Sequence, residues 1–287
     1  MHGDIFKRLR IENKMTLETM SESILSAASL SRYERNLIDL PFNTVVRLLN
    51  RINVSVAEYA YLINADNSLS QSFENQVEQA YANENTDVLV NLCLSSLSMY
   101  RNTGSMRDLF KAGTAGNYYY DLTDKQLLKT KDIDLITEAL FEVTDWSSLE
   151  INRFGNVIAL LNTNQITIIS TRIVNSLENI RSLNSQAYLN AWNCLLNAEI
   201  VMLNRPLPTD LNATETLINK TNPLKIPNHY IFTILRKNFI KCLLTFRKTH
   251  GNNLTEIISF ISFLDSHDAS SIALEFQHSF NHIKTML

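Results

Sequence analysis

Residues 16–36 read TLETMSESILSAASLSRYERN. Two short helical runs, 16–23 and 27–35, are joined by a tight turn at Ile24–Ser26. Leu17, Met20, Ile24, Leu30 and Tyr33 recur at helical spacing, so both runs bury one face in a shared core. Two helices joined in this way form a helix-turn-helix. Its second helix enters the DNA major groove with its N-terminal residues at the base edges. Ala27 and Ala28 are too small to obstruct the groove, and either can pack on a thymine methyl. Arg32 lies one turn beyond Ala28 and is the long donor of that face, a fork for guanine O6/N7 or for a phosphate. Ser26, Ser29 and Ser31 are shorter donors, and Thr16 can offer its hydroxyl and N–H to a phosphate. Asn36, which closes the recognition run, completes the DNA-facing set.

Outward from this stretch, the first 65 residues carry five short apolar-periodic runs, from Ile5 to Leu62. Asp4, Ser26 and Ser55 each stand where an N-cap would, and Glu58 follows Ser55 at capping-box spacing. Pro41 suits a first-turn position of the fourth run. A five-helix bundle is expected over 1–65, with eight basic and seven acidic residues. A polar break follows at 64–68. Beyond it, helix-length segments succeed one another at 69–83, 86–101, 105–120, 124–144, 147–161, 164–180, 184–204, 210–220, 228–249, 252–266 and 268–285. Such an array reads as stacked helical hairpins, a degenerate tetratricopeptide-like repeat without a strict consensus. Residues 165–174 are rich in β-branched side chains, yet their neighbours are helical and no second strand is at hand, so they too are read as helix.

Composition agrees. The 287 residues include only 6 glycines and 5 prolines, and no proline occurs from Phe42 to Arg205. The fold class is therefore all-α, with domains at 1–65 and 69–287. A net charge of −3 excludes a general polyanion binder. Three scattered cysteines, Cys93, Cys194 and Cys242, form neither a disulfide framework nor a zinc motif. With no signal-peptide pattern and no long apolar run, a cytoplasmic protein without membrane contact is expected. His278 and His282 stand at i and i+4, but the general-base glutamate of a zinc-protease motif is missing between them. There is no phosphate-binding glycine loop and no nucleophile elbow. No enzymatic activity, cofactor or metal is expected.

More specific residues bear on identity. Gly3, Lys7, Leu9-Arg10, Leu17, the run Ser26-x-x-Ser29-Leu30-Ser31-Arg32-Tyr33-Glu34, and Leu48-Leu49 resemble the phage-repressor-like helix-turn-helix of the Rgg/GadR/MutR transcriptional regulators. Asp145-Trp146-x3-Glu150-x3-Phe154-x-Asn156 is similar to a signature in the helical domain of that family. The likeness covers essentially the whole chain. It departs at Asn36, where the family usually has glycine, and at Thr16, where it usually has serine. The resemblance implies a homodimer that reads double-stranded DNA at a palindromic promoter site. It also implies a helical-repeat domain that binds a short hydrophobic signalling peptide, as in quorum sensing.

The residues themselves suggest where a peptide could sit. Asn152, Arg153 and Asn156 fall together in one apolar segment, and Asn190, Asn193 and Asn197 fall at i, i+3 and i+7 in another. An Asn amide both donates and accepts, so it can pair with a peptide backbone irrespective of the peptide's side chains. Arg153 offers a fork for a C-terminal carboxylate, and Leu196 and Tyr230 offer apolar walls. On the residues alone, a helical-repeat module that binds a protein partner and has no DNA-binding activity remains an alternative. Salt-dependent binding to random duplex DNA separates the two.

Overall fold

The computed structural model describes residues 2–66 and 72–286. The chain divides into two compact units, Met1–Ser72 and Phe73–Leu287. Among the described residues every regular element is helical, and no helix is long and apolar enough to cross a membrane.

The first unit comprises α1 (Gly3–Glu12), α2 (Leu17–Ser21), α3 (Ala27–Glu34), α4 (Phe42–Arg51) and α5 (Val56–Asp66). Its core is built on Phe6, Met20, Leu30, Leu48 and Leu49, each at most 1% exposed. Thr16 caps α2 and Ser26 caps α3, each accepting from the N–H three residues on. Ser55 accepts from the Glu58 N–H at 3.0 Å. Asp4 does not cap: it lies inside the first turn of α1 and accepts from Asn36 Nδ2 at 3.0 Å. Pro41 stands one position earlier than expected, at the N-cap of α4. The chain reverses between α2 and α3 at Ser23, which adopts φ +58°. α5 runs into the expected break at 64–68; residues 67–71, which hold the rest of that break and the start of the next expected segment, lie outside the described residues.

The second unit contains α6 (Phe73–Ala82), α7 (Thr86–Thr103), α8 (Met106–Thr123), α9 (Thr130–Phe141), α10 (Ser148–Gly155), a 3-10 turn (Ile158–Leu160), α11 (Thr163–Leu183), α12 (Ser185–Leu203), α13 (Pro208–Thr221), α14 (Ile231–Lys248), α15 (Leu254–Asp265) and α16 (Ser270–Lys284). The β-branched stretch is helical within α11, which opens on a full capping box between Asn162 and Gln165. The expected segments 124–144 and 147–161 are cut back most, to α9 and α10. α8 ends on Asp124 in the left-handed region, which forces a non-helical stretch before α9. The 147–161 segment breaks after Gly155 into the 3-10 turn.

α12 is the spine of this unit. Ala191, Trp192, Leu195, Ala198 and Met202 belong to one apolar cluster shared with α7–α11. Leu196 and Leu203 belong to a second, shared with α13–α16. A helix buried on two sides leaves only a narrow strip for polar residues, and Asn190, Asn193 and Asn197 occupy it.

Candidate functional site

Two regions matter. In the first unit, Ala28 and Arg32 are exposed along α3 and Ala27, Ser29 and Ser31 are half-buried, while Leu30, Tyr33 and Glu34 face the core. Thr16 and Ser26 are exposed at the helix starts. The turn geometry is held by α4. Arg51 Nη1 donates to the carbonyls of Thr19, Met20 and Glu22 at 2.7–3.1 Å, and Arg47 Nη2 donates to that of Ser23 at 2.7 Å. These guanidiniums satisfy the orphan carbonyls at the end of α2. Arg10 is buried and makes a bidentate pair with Glu34, Nε to Oε1 at 2.6 Å and Nη2 to Oε2 at 2.7 Å. Neither therefore belongs to the surface charge counted from the sequence.

Asn36 has a different place from the other residues expected to face DNA. At φ +57° it ends α3 in the left-handed region. Its Oδ1 accepts from the Gly3 N–H at 2.8 Å and its Nδ2 donates to Asp4, so both ends of the amide hold the start of α1. Gly3 itself is required by proximity, since a Cβ there would lie 1.8 Å from the Tyr33 carbonyl oxygen.

The second region is a cleft of about 430 Å³ lined by α8, α10, α12 and α14. Asn152, Asn156, Asn190, Asn193 and Asn197 all line it, joined by Asn117 from α8. Asn190 Oδ1 accepts from Gln186 Nε2 at 2.9 Å, and its Nδ2 donates to Asn152 Oδ1 at 3.4 Å. Asn197 Oδ1 accepts from Arg236 Nη2 at 2.8 Å. Asn193 Oδ1 is buried without a hydrogen-bond partner. Asn152 on α10 and Asn197 on α12 thus have their oxygens occupied, whereas Asn193 on α12 keeps an unpaired one. Asparagine amides grouped in this way offer the donor and acceptor types that an extended peptide backbone, with its C=O and N–H groups, requires.

Three of the expected residues lie elsewhere, and one of them, Leu196, is fully buried in the second apolar cluster and offers no wall to the cleft. Arg153 projects from α10 onto the Phe110 ring, 4.9 Å from its centroid, and does not line the cleft. Tyr230 packs against His229 and donates to the Ser185 carbonyl at 3.3 Å. The guanidinium in the cleft belongs to Arg236, whose Nε lies 3.7 Å from Glu275 and whose pKa burial pushes down. Arg236 was not legible in the sequence, because the Arg-Lys pair at 236–237 in α14 looks like any solvated stripe. Trp146 and Phe154 of the helical-domain signature are core residues, and Ser147 donates to Glu150 at the start of α10.

The family described as HTH-type transcriptional regulator Rgg, C-terminal domain, matches residues 114–278, more than half of the chain. A helix-turn-helix family matches residues 6–59. The SHP pheromone receptor Rgg2 of Streptococcus dysgalactiae superposes with a TM-score of 0.73 at 14% identity, covering 97% of this chain and 98% of that one. A protein of Listeria monocytogenes EGD-e described as a transcriptional regulator gives 0.74 at 12% identity, covering 98% and 96%. PrgX in its cCF10 complex gives 0.68 at 12% identity, covering 99% and 92%. At these identities the superpositions establish the fold, and the family match establishes membership. The chain belongs to the Rgg family of HTH-type transcriptional regulators.

Proposed function

We propose that the protein is a cytoplasmic transcriptional regulator whose DNA-binding activity or output is set by a short hydrophobic peptide held in the asparagine cleft. The observation that carries this reading is the cleft itself: five asparagines expected from the sequence line one cavity, and one of them, Asn193, has an unpaired amide oxygen. Related proteins support it, because structures of similar fold are described as a pheromone receptor and as a bacterial peptide pheromone/receptor complex. The reading has no catalytic step.

On the DNA side, α3 lies in the major groove with Ala28 and Arg32 toward the bases. Ser26, Ala27, Ser29 and Ser31 flank them, and Thr16 is on phosphate. Asn36 acts by holding α1 against α3. The protein works as a homodimer on a palindromic site, which doubles the few basic contacts of one unit. The peptide acts only insofar as it binds two states of the protein unequally.

Footprinting of the full-length protein upstream of its own gene, with and without short hydrophobic peptides encoded nearby, tests the reading. A protected palindromic site whose occupancy or transcription changes with one such peptide supports it. Protection that no peptide alters, with no peptide bound, removes the sensory half. Absence of any specific site removes the DNA half.

A further inference from the structure

The asparagine cleft does not end at Arg236. Tyr81, Asp121 and Ile200 line both that cleft and a second cavity of about 610 Å³. Its far wall carries Asn204, Glu275, His278 and His282. The polar line of α12 runs on into it. Asn190, Asn193, Asn197 and Asn204 stand at i, i+3, i+7 and i+14, on one helix face. Asn204 caps the end of α12, and its Oδ1 is buried without a hydrogen-bond partner, as Asn193 Oδ1 is in the first cavity. A buried acceptor left unpaired costs stability until a donor arrives.

The chemistry of the second cavity differs from that of the first. Two carboxylates line it, and no lysine or arginine does. Asp121 accepts from Tyr81 Oη, a neutral donor that leaves its charge in place. Glu275 is held at 3.7 Å by Arg236 with its side chain still 51% exposed, so it keeps acceptor capacity for a second partner. His282 Nε2 lies 3.4 Å from the Asn204 carbonyl, which can only accept, so the groups left over are the two carboxylates and the unpaired amide oxygen, and these call for a group that donates.

We infer that this cavity is the subsite for a primary ammonium of the bound peptide. The inference rests on the peptide reading of the cleft and adds a direction to it. The fourteen residue steps from Asn190 to Asn204 span about 21 Å of helix. An extended chain covers that in roughly six or seven residues. A peptide of that length places its amino terminus beside Asp121, Glu275 and Asn204, and its chain runs toward Asn152 and Asn190. A lysine side chain at the first position would present the same group.

The test uses the full-length protein and a synthetic pool of hydrophobic heptapeptides in three forms: free amino terminus, acetylated, and acetylated with lysine at position one. Binding is read by equilibrium dialysis with mass-spectrometric detection. Acetylation is expected to weaken binding to the wild type at least tenfold. Recovery with lysine shows that any primary ammonium suffices, and lack of recovery assigns the subsite to the α-amino group. Asp121→Asn and Glu275→Gln should each weaken the free form and leave the acetylated form within twofold of wild type. Equal binding of free and acetylated pools to the wild type overturns the inference and leaves the peptide reading intact. Failure of every pool to bind overturns both.

Discussion

Arg10 and Glu34 join α1 to α3 through a buried two-point pair, with Arg10 Nη1 also donating to the Met15 carbonyl at 2.6 Å. Removing one partner strands the other charge in the core. Glu34→Ala is therefore expected to destabilise the helix-turn-helix unit by about 3–5 kcal/mol. The double change Arg10→Met, Glu34→Leu should cost less than either single loss, because no charge remains to be desolvated. Denaturant unfolding of the three proteins gives the comparison. A double variant as unstable as the sum of the single changes would contradict it.

Arg32 is exposed on α3, one turn beyond Ala28. If it reads a base pair, Arg32→Ala should weaken binding to a selected site by roughly 1–3 kcal/mol and relax specificity at that pair. If it meets only phosphate, affinity should fall alike for all duplexes, with a shallower salt slope. Selection from random duplexes followed by salt titration separates these outcomes. Unchanged affinity in a folded variant removes α3 as the reading helix.

The helix-turn-helix was legible because its signals are local: Thr16 and Ser26 as caps, Leu30 and Tyr33 at core spacing. Five members of the cleft were legible for a related reason. Asparagines at i, i+3 and i+7 inside a largely apolar α12 share one helix face and so emerge together. What escaped the sequence depends on contacts made at long range. Nothing local marks Arg10 and Glu34 as partners 24 residues apart. Nor does anything local direct Arg153 onto Phe110 and Arg236 into the cleft, since that choice is made by how α8, α10 and α14 pack. Asn36 shows the same limit. Its left-handed backbone could be anticipated from the glycine usual there, but not its hold on Gly3 and Asp4.

Glu199 sits within α12 at 1% exposure and accepts from Thr221 Oγ1 at 2.7 Å. Burial pushes its carboxyl up to about 7, against the opposing pull of Thr221 and Lys237. Between the ordinary carboxylate range and that value, the folded chain holds a proton that the unfolded chain has released. This group's contribution to stability is thus greatest at acid pH and is lost as pH rises through about 7. Glu199→Gln keeps an acceptor for Thr221 and removes the charge. Its melting temperature should match wild type near pH 4.5 and exceed it by several degrees near pH 8. A constant difference across that range would show that Glu199 titrates normally.

Arg236 orients Asn197, whereas Arg153 lies on Phe110 outside the cleft. For any peptide that the cleft retains, Arg236→Ala should lower affinity by about 1–2 kcal/mol, because it frees the Asn197 amide to turn. Arg153→Ala should leave affinity within a few tenths of a kcal/mol. Calorimetric titration of both variants decides. The reverse order would return Arg153 to the site.

The central claim is that the asparagine amides of one cleft hold a peptide while a separate unit binds DNA. It is tested most directly by replacing Asn152, Asn193 and Asn197 together with alanine. The full-length variant is then measured side by side with wild type for retention of hydrophobic heptapeptides and for affinity to the selected duplex. The account predicts that peptide retention is lost, while DNA affinity in the absence of peptide stays within twofold of wild type. Undiminished peptide retention by the triple variant would contradict it.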